Sequence, residues 1–337
     1  MTTRAAIPVP ATASATSRPS AGLRGFAWGV VAYNVLVIVW GAAVRATGSG
    51  AGCGDHWPLC NGNVVLHHPG VATLIEFAHR ASSGVALLAV IALTFWIFRT
   101  TPRYHAARFW SMASLLLTLN EALLGALLVL LGLVAHNQSG ARAVYFGLHF
   151  TNTMLLLATL ALTAHFLSRR LGFMRGSTEF RAPLLASVGL LATLATGVMG
   201  SLAALGDTLY PARDLWAAIA EDFSSHSSWL LRIRWIHPAL AFVAGAFLLW
   251  LIIRNLPGGN APGNRSLALV LLGLLALQYT LGFTDVALLA PVWLQLAHLF
   301  VADLLWITLV VLAVRTSIVP IGCTFGTCGF RSKKTAE

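Results

Sequence analysis

Apolar residues run through this chain in long blocks separated by short polar stretches. Eight blocks reach the length of about 20 residues that a helix needs to cross a bilayer. They lie near 25–44, 72–98, 109–135, 144–168, 182–206, 232–253, 266–288 and 292–315. Leu, Ala, Val and Ile fill them in runs, without the alternation of a barrel strand, so each block predicts a membrane-spanning helix. Pro257 to Gly263 reads as a turn between two helices. Residues 1–22 are rich in Ala, Thr, Ser and Pro; they lack the apolar core of a cleaved leader and read as a disordered tail.

Composition narrows the class. The chain is 57% hydrophobic and 10% charged, with a mean hydropathy of +0.77. A soluble domain carries roughly 25% charged residues, so an ordinary soluble enzyme is excluded. The net charge of +11 would suggest nucleic acid in a soluble protein. Here sixteen of the 22 Lys and Arg sit at one set of helix ends: Arg4, Arg18, Arg24, Arg99, Arg103, Arg108, Arg169, Arg170, Arg175, Arg181, Arg254, Arg265, Arg315, Arg331, Lys333 and Lys334. The opposite ends carry Asp55, Asp207, Asp214, Glu221 and Asp222. The positive-inside rule then places both termini in the cytoplasm, and the charge reports topology, with a lipid bilayer and no nucleic acid as partner.

The two halves echo each other. Glu121-Ala-Leu-Leu-Gly125 in the third block matches Gln278-Tyr-Thr-Leu-Gly282 in the seventh, and Gly54-Asp-His-Trp-Pro58 matches Gly206-Asp-Thr-Leu-Tyr-Pro211. Four spans per half give repeats of one orientation. The expected fold is an all-α membrane protein, eight transmembrane helices as two repeated four-helix bundles. The expected division is a cytoplasmic tail over 1–24, an N-terminal half over 25–175, a C-terminal half over 182–316 and a second tail over 317–337.

Four of the eleven histidines occupy equivalent places, His79, His149, His237 and His298, on the second, fourth, sixth and eighth spans. Each lies five to seven residues from the outer end of its predicted span, roughly 8–10 Å deep. Two imidazoles at one depth on facing helices can ligate a haem iron from both sides. The alternative for any one of them is a hydrogen-bonded packing residue; polar groups in lipid are costly, and four at matching depth favour function. Zinc fits poorly, since no Cys joins them and no two are spaced i, i+4. Arg45, Arg80, Arg232 and Arg234 cluster near the outer ends of the same or adjacent helices. They suit haem propionates, lipid headgroups or, for Arg80, an i, i+4 ion pair with Glu76.

These residues carry a resemblance. Glu76-Phe-Ala-His79-Arg80 resembles the Glu-x-x-His-Arg motif of haem A synthases. Thr47-Gly-Ser-Gly50 with Cys53, Trp57-Pro58 and Cys60 is similar to their first outer loop, and Pro291 to Trp306 to their last helix. The likeness covers roughly 25–315. It implies an eight-helix membrane enzyme that oxidises the C8 methyl of haem O to a formyl group, giving haem A for terminal oxidases. It implies His237 and His298 as axial ligands of a resident haem b, His79 and His149 as ligands of the substrate haem O, Arg80 beside that substrate, and Glu76 as a catalytic carboxylate. A haem O synthase that supplies substrate and an electron donor or acceptor are the implied partners, and a homo-oligomer is compatible. Residues 207–231 hold no Cys, where many members carry a second pair.

Asymmetry between the halves points to chemistry on its own. Glu76 precedes His79 by three residues and shares its helix face, whereas Arg234 precedes His237. A carboxylate can move protons during oxidation of a methyl group; a mere ion pair with Arg80 is the alternative. Cys53 and Cys60 lie in an outer loop, where disulfides persist, with a structural or a redox role open. Cys323 and Cys328 fall in the cytoplasmic tail and lack partners for a metal site. Glu121, Asp285 and Asp303 lie in spans, and the match of Glu121 with Gln278 suits shared polar packing. The runner-up function is a bis-histidine membrane cytochrome b acting in electron transfer; a transporter is a third class, without its expected broken helices.

Overall fold

A computed structural model describes residues 19–64, 66, 68–169, 178–180, 184–256 and 262–320. Residues 1–18 and 321–337 of the two expected tails, Arg170, Arg175, Arg181, His67, Cys323, Cys328 and most of the Pro257 to Gly263 turn lie outside these residues, while 21–24, expected in the first tail, begin the first helix. Among the described residues eight helices are long and apolar enough to cross a membrane, and the protein is multi-pass.

Local chemistry sets the ends. Helix α1 (Ala21–Ala46) starts where the Ser20 hydroxyl accepts from Leu23 N–H. Helix α2 (Val71–Thr100) stops before Pro102. His105 caps α3 (Ala106–Leu130) by accepting from Ala107 N–H. Burial, then the nearby Arg108, pushes its pKa below 6.5, so the ring stays neutral and able to accept. Helix α3 ends at Leu130, short of the expected 135, because Gly132 adopts φ +63° and turns the chain. Helices α4 (Gly140–Ser168) and α5 (Leu184–Leu209) follow, then α6 (Leu215–Phe223), a helix inside the outer loop expected over 207–231.

The sixth span, expected to be continuous, is broken into α7 (Trp229–Arg232) and α8 (Ile236–Asn255). Pro238 has no N–H to bond the Arg234 carbonyl; His237 N–H takes that carbonyl instead, in a tighter turn. Helices α9 (Pro262–Ala287) and α10 (Val292–Ser317) complete the set. A strand pair that the sequence pattern did not predict, β1 (Thr178–Phe180) antiparallel to β2 (Ile318–Pro320), joins the segment after α4 to the end of α10.

Contacts run in ring order α1–α2–α3–α4–α1 and α5–α8–α9–α10–α5. The rings meet where α1 and α4 pack on α5 and α10. Helix α4 is the most enclosed, because Ala161, Thr163 and Ala164 let neighbours approach closely. Ser114 and Thr159 hydrogen-bond across α3 and α4 at 3.0 Å, and Trp306 donates to the Met154 carbonyl at 2.8 Å across the two rings. Large apolar side chains such as Leu88, Phe95, Leu116, Val243 and Val270 face outward, as lipid contact requires.

Candidate functional site

Each of the four predicted histidines packs against a glycine on the preceding span. A Cβ built on Gly41 (α1) would stand 2.8 Å from His79 Cε1, and one on Gly200 (α5) 2.7 Å from His237 Cε1. On Gly282 (α9) it would stand 3.1 Å from His298, and on Gly125 (α3) 3.7 Å from His149. The missing side chains let the imidazoles lie flat against the neighbouring helix. His237 and His298 have ring centres 6.4 Å apart and planes at 85°. Two imidazoles each about 2 Å from a shared metal have centres roughly 6 Å apart once their ring radii are added. His237 Nδ1 is 3.0 Å from the Thr196 carbonyl oxygen, which turns Nε2 away from α5. Nδ1 of His79, His149 and His298 is buried without a hydrogen bond.

Glu76 is buried, with two sets of partners. Arg80 donates to its Oε1 at 2.6 Å, so the predicted i, i+4 ion pair forms. Cys53 N–H donates to Oε2 at 2.8 Å. Arg80 also donates to the carbonyls of His56 and Leu59 at 2.6 and 2.8 Å. Cys53 and Cys60 are joined, with Cα atoms 4.4 Å apart. Gly52 sits so near α2 that a Cβ would meet Ala72 backbone atoms at 2.5 Å. The first outer loop is thus fastened to the start of α2 around Glu76.

In the C-terminal half Arg234 takes the corresponding fastening role. Its guanidinium reaches Asp207 of α5 at 2.6 Å, Asp222 of α6 at 2.7 Å and the Ala218 carbonyl at 2.8 Å. Arg45 at the end of α1 donates to the Ala204 carbonyl and Thr208 hydroxyl of α5, both at 2.6 Å, and to Gln295 of α10 at 2.8 Å. Three of the four arginines considered for propionates, Arg45, Arg80 and Arg234, therefore already have protein acceptors in this structure.

One cavity of about 1000 Å³ takes in all four histidines, Glu76, Arg80, Arg45 and Arg234. That is the upper end of the range for ligand pockets, about 300–1,000 Å³. Helix α6 covers part of its outer side through Leu215, Ala218, Ile219 and Asp222. Imidazoles lying against glycines around one cavity, with His237 and His298 paired and ring nitrogens left without partners, fit an iron porphyrin. Among the described residues no cluster of His, Cys, Asp and Glu suits a bare metal ion.

Sequence reasoning missed the four glycines, although Gly125 and Gly282 stood in the repeated motif. It also missed that Glu121 and Gln278 sit beside a histidine: Glu121 Oε1 is 3.4 Å from His149 Nδ1, and Gln278 Nε2 is 3.0 Å from His298 Nε2. Asp303 is fully buried with both oxygens unpartnered and does not line the cavity. Arg232 ends α7, and no contact distinguishes it.

Comparison with known proteins shows the family. A protein named protoheme IX farnesyltransferase from Thermus thermophilus is 44% identical over 294 residues, 86% of this chain and 48% of its own length. Proteins named heme A synthase from Alkalihalophilus pseudofirmus and Exiguobacterium sp. are 38% and 35% identical over 130 residues, 38% of this chain and 41% and 42% of theirs. The chain thus spans about half the length of the curated relatives it matches. The model of the cytochrome oxidase assembly protein family (COX15-CtaA) matches residues 24–310. Running from the first turn of α1 into α10, that match shows that the chain belongs to this family.

Proposed function

We propose that the protein is a haem A synthase, oxidising the C8 methyl group of haem O to a formyl group. The observation that carries this reading is the set of four histidine–glycine contacts around one cavity, with a buried carboxylate on the His79 side only. In this reading His79 and His149 hold the substrate haem O in the half over 25–175. His237 and His298 hold haem b in the half over 182–316, and that haem supplies one-electron redox chemistry. Thr196 orients the His237 ring for this task.

Glu76 exchanges a proton at the substrate side of the cavity, and Arg80 borders the substrate while holding the carboxylate in place. The Cys53–Cys60 disulfide keeps the first outer loop closed over that side and excludes water. Thiol labelling before and after reduction checks the bond; ready labelling of both cysteines in unreduced protein would sink it. The distribution of Lys and Arg supports a cell (inner) membrane location with both termini in the cytoplasm. A relative named for farnesylating protohaem, matched over about half its length, supports a haem O synthase as the supplier of substrate. An electron donor or acceptor outside this chain completes the reaction.

Pigment extraction from the purified protein, followed by chromatography, tests the reading. Haem b together with haem O or haem A is expected. Haem b alone favours a bis-histidine electron-transfer cytochrome and overturns the synthase; protein without haem overturns both.

A further inference from the structure

The third and seventh spans carry a pair of residues that the proposed reaction does not use. Glu121 on α3 and Gln278 on α9 hold matching places in the two halves, each four residues before a glycine that faces a histidine. Both line the cavity. A carboxylate in a membrane span is costly and calls for a specific role. Simple polar packing would be served equally by Gln in both halves.

Glu121 is held with care. Its Oε2 accepts from Asn152 Nδ2 at 2.5 Å, and Asn152 is fixed in turn by Asn120 at 2.8 Å and by the Leu117 carbonyl at 2.9 Å. Its Oε1 accepts from the Thr153 hydroxyl, which also lies 2.9 Å from the His149 carbonyl. The same Oε1 is 3.4 Å from His149 Nδ1, a buried nitrogen with no hydrogen bond of its own. The network braces the carboxylate from α3 and α4 and aims it at one nitrogen of the imidazole.

We propose that Glu121 is the positioning residue of His149, directing its Nδ1 to the carboxylate and its Nε2 to the iron of the bound haem, and that Gln278 leaves His298 without such a fixed acceptor. This rests on His149 being a haem ligand. A carboxylate offers only acceptors, so it admits a single arrangement of the ring, Nδ1–H toward Glu121 and the Nε2 lone pair toward the cavity. An amide offers both donors and an acceptor. Gln278 Nε2–H donates to His298 Nε2 at 3.0 Å, while Gln278 Oε1 and His298 Nδ1 stay unpartnered. Ligation of iron by His298 Nε2 would require the amide of Gln278 to withdraw from that nitrogen. The two halves therefore differ in how strongly a ligand is polarised: a carboxylate partner raises imidazole basicity and favours the oxidised metal more than a neutral amide does.

The test uses purified holoprotein supplied with haem O and titrated by spectroelectrochemistry. His149→Ala first identifies the spectral component of the N-terminal haem; if no component disappears, the ligand reading fails and the proposal, which rests on it, is overturned with it. Glu121→Gln makes the N-terminal half resemble the C-terminal one. It is expected to weaken binding of the oxidised haem about tenfold relative to the reduced form, within the range for outer-shell partners. That tenfold change raises the midpoint of this component by about 59 mV for one electron. The C-terminal component stays in place. An unmoved midpoint, with the component assigned by His149→Ala, overturns the proposal. Gln278→Glu is the converse and serves if Glu121→Gln fails to fold: a lowered midpoint of the C-terminal component supports the inference, and an unchanged one overturns it.

Discussion

Gly200 leaves no room for a methyl group beside His237, whose Nδ1 is also tied to the Thr196 carbonyl. Gly125 leaves His149 an ordinary van der Waals distance of 3.7 Å. Gly200→Ala should therefore strip the C-terminal haem component from the absorbance spectrum, while Gly125→Ala keeps the N-terminal one. Equal retention in both variants would mean that the glycines are lipid-packing residues. Glu76 carries a second test at this scale. Gln in its place can still accept from Cys53 N–H but offers Arg80 no charge. Glu76→Gln is expected to keep both haem sites filled and to accumulate haem O, with turnover lowered about 10²–10⁴-fold. Haem A formed at the normal rate would reduce Glu76 to a partner of Arg80. The histidines and Glu76 were legible in the sequence because polar side chains stand out against an apolar background. The glycines were not, since thirty glycines occur in the chain and only packing reveals which ones face a ring.

Among elements, the eight spans were legible because length and hydropathy alone define them. Two boundaries were not. An apolar run continues past Leu130, yet Gly132 takes positive φ and ends α3; and Trp229 to Asn255 is long and apolar enough overall to read as one span, yet Pro238 forces the break that places His237 in the first turn of α8. Helix α6 escaped notice for a related reason: nine residues are too few for a span, and its order depends on a partner. That partner is Arg234, which holds Asp222 and the Ala218 carbonyl. Arg234→Ala should cost the α6 region about 1–3 kcal/mol, as expected for lost hydrogen bonds to charged groups. Hydrogen exchange would then show faster exchange in 215–223 with the spans unchanged. Unaltered protection there would show that apolar contacts alone hold the helix over the cavity.

For the whole molecule, Arg45 is a polar link between halves at the outer side, and Trp306 to Met154 is a link deeper in the membrane. Arg45→Ala removes bonds to α5 and α10 together. The detergent-solubilised protein is expected to melt lower, by about 1–2 °C per kcal/mol lost, as the unfolding entropy per residue implies for a chain of this length. An identical melting midpoint would show that packing of α4 against α5 and α10 suffices.

The place of α4 also imposes an order in time. Chains are made from the N-terminus at about 5–20 residues per second, so roughly 7–30 s separate the emergence of His149 from that of His298. The first ring can close as soon as α4 arrives, whereas the second waits for α10, the last of the eight spans. Until then the face of α4 destined for α5 and α10 must lie against lipid. The hydroxyls of α4 find acceptors without the later helices: Thr159 donates to the Leu156 carbonyl at 2.9 Å and Thr163 to the Thr159 carbonyl at 2.8 Å, both within the same helix. A half-made chain can thus keep its most polar span in the bilayer without any partner from the unmade half.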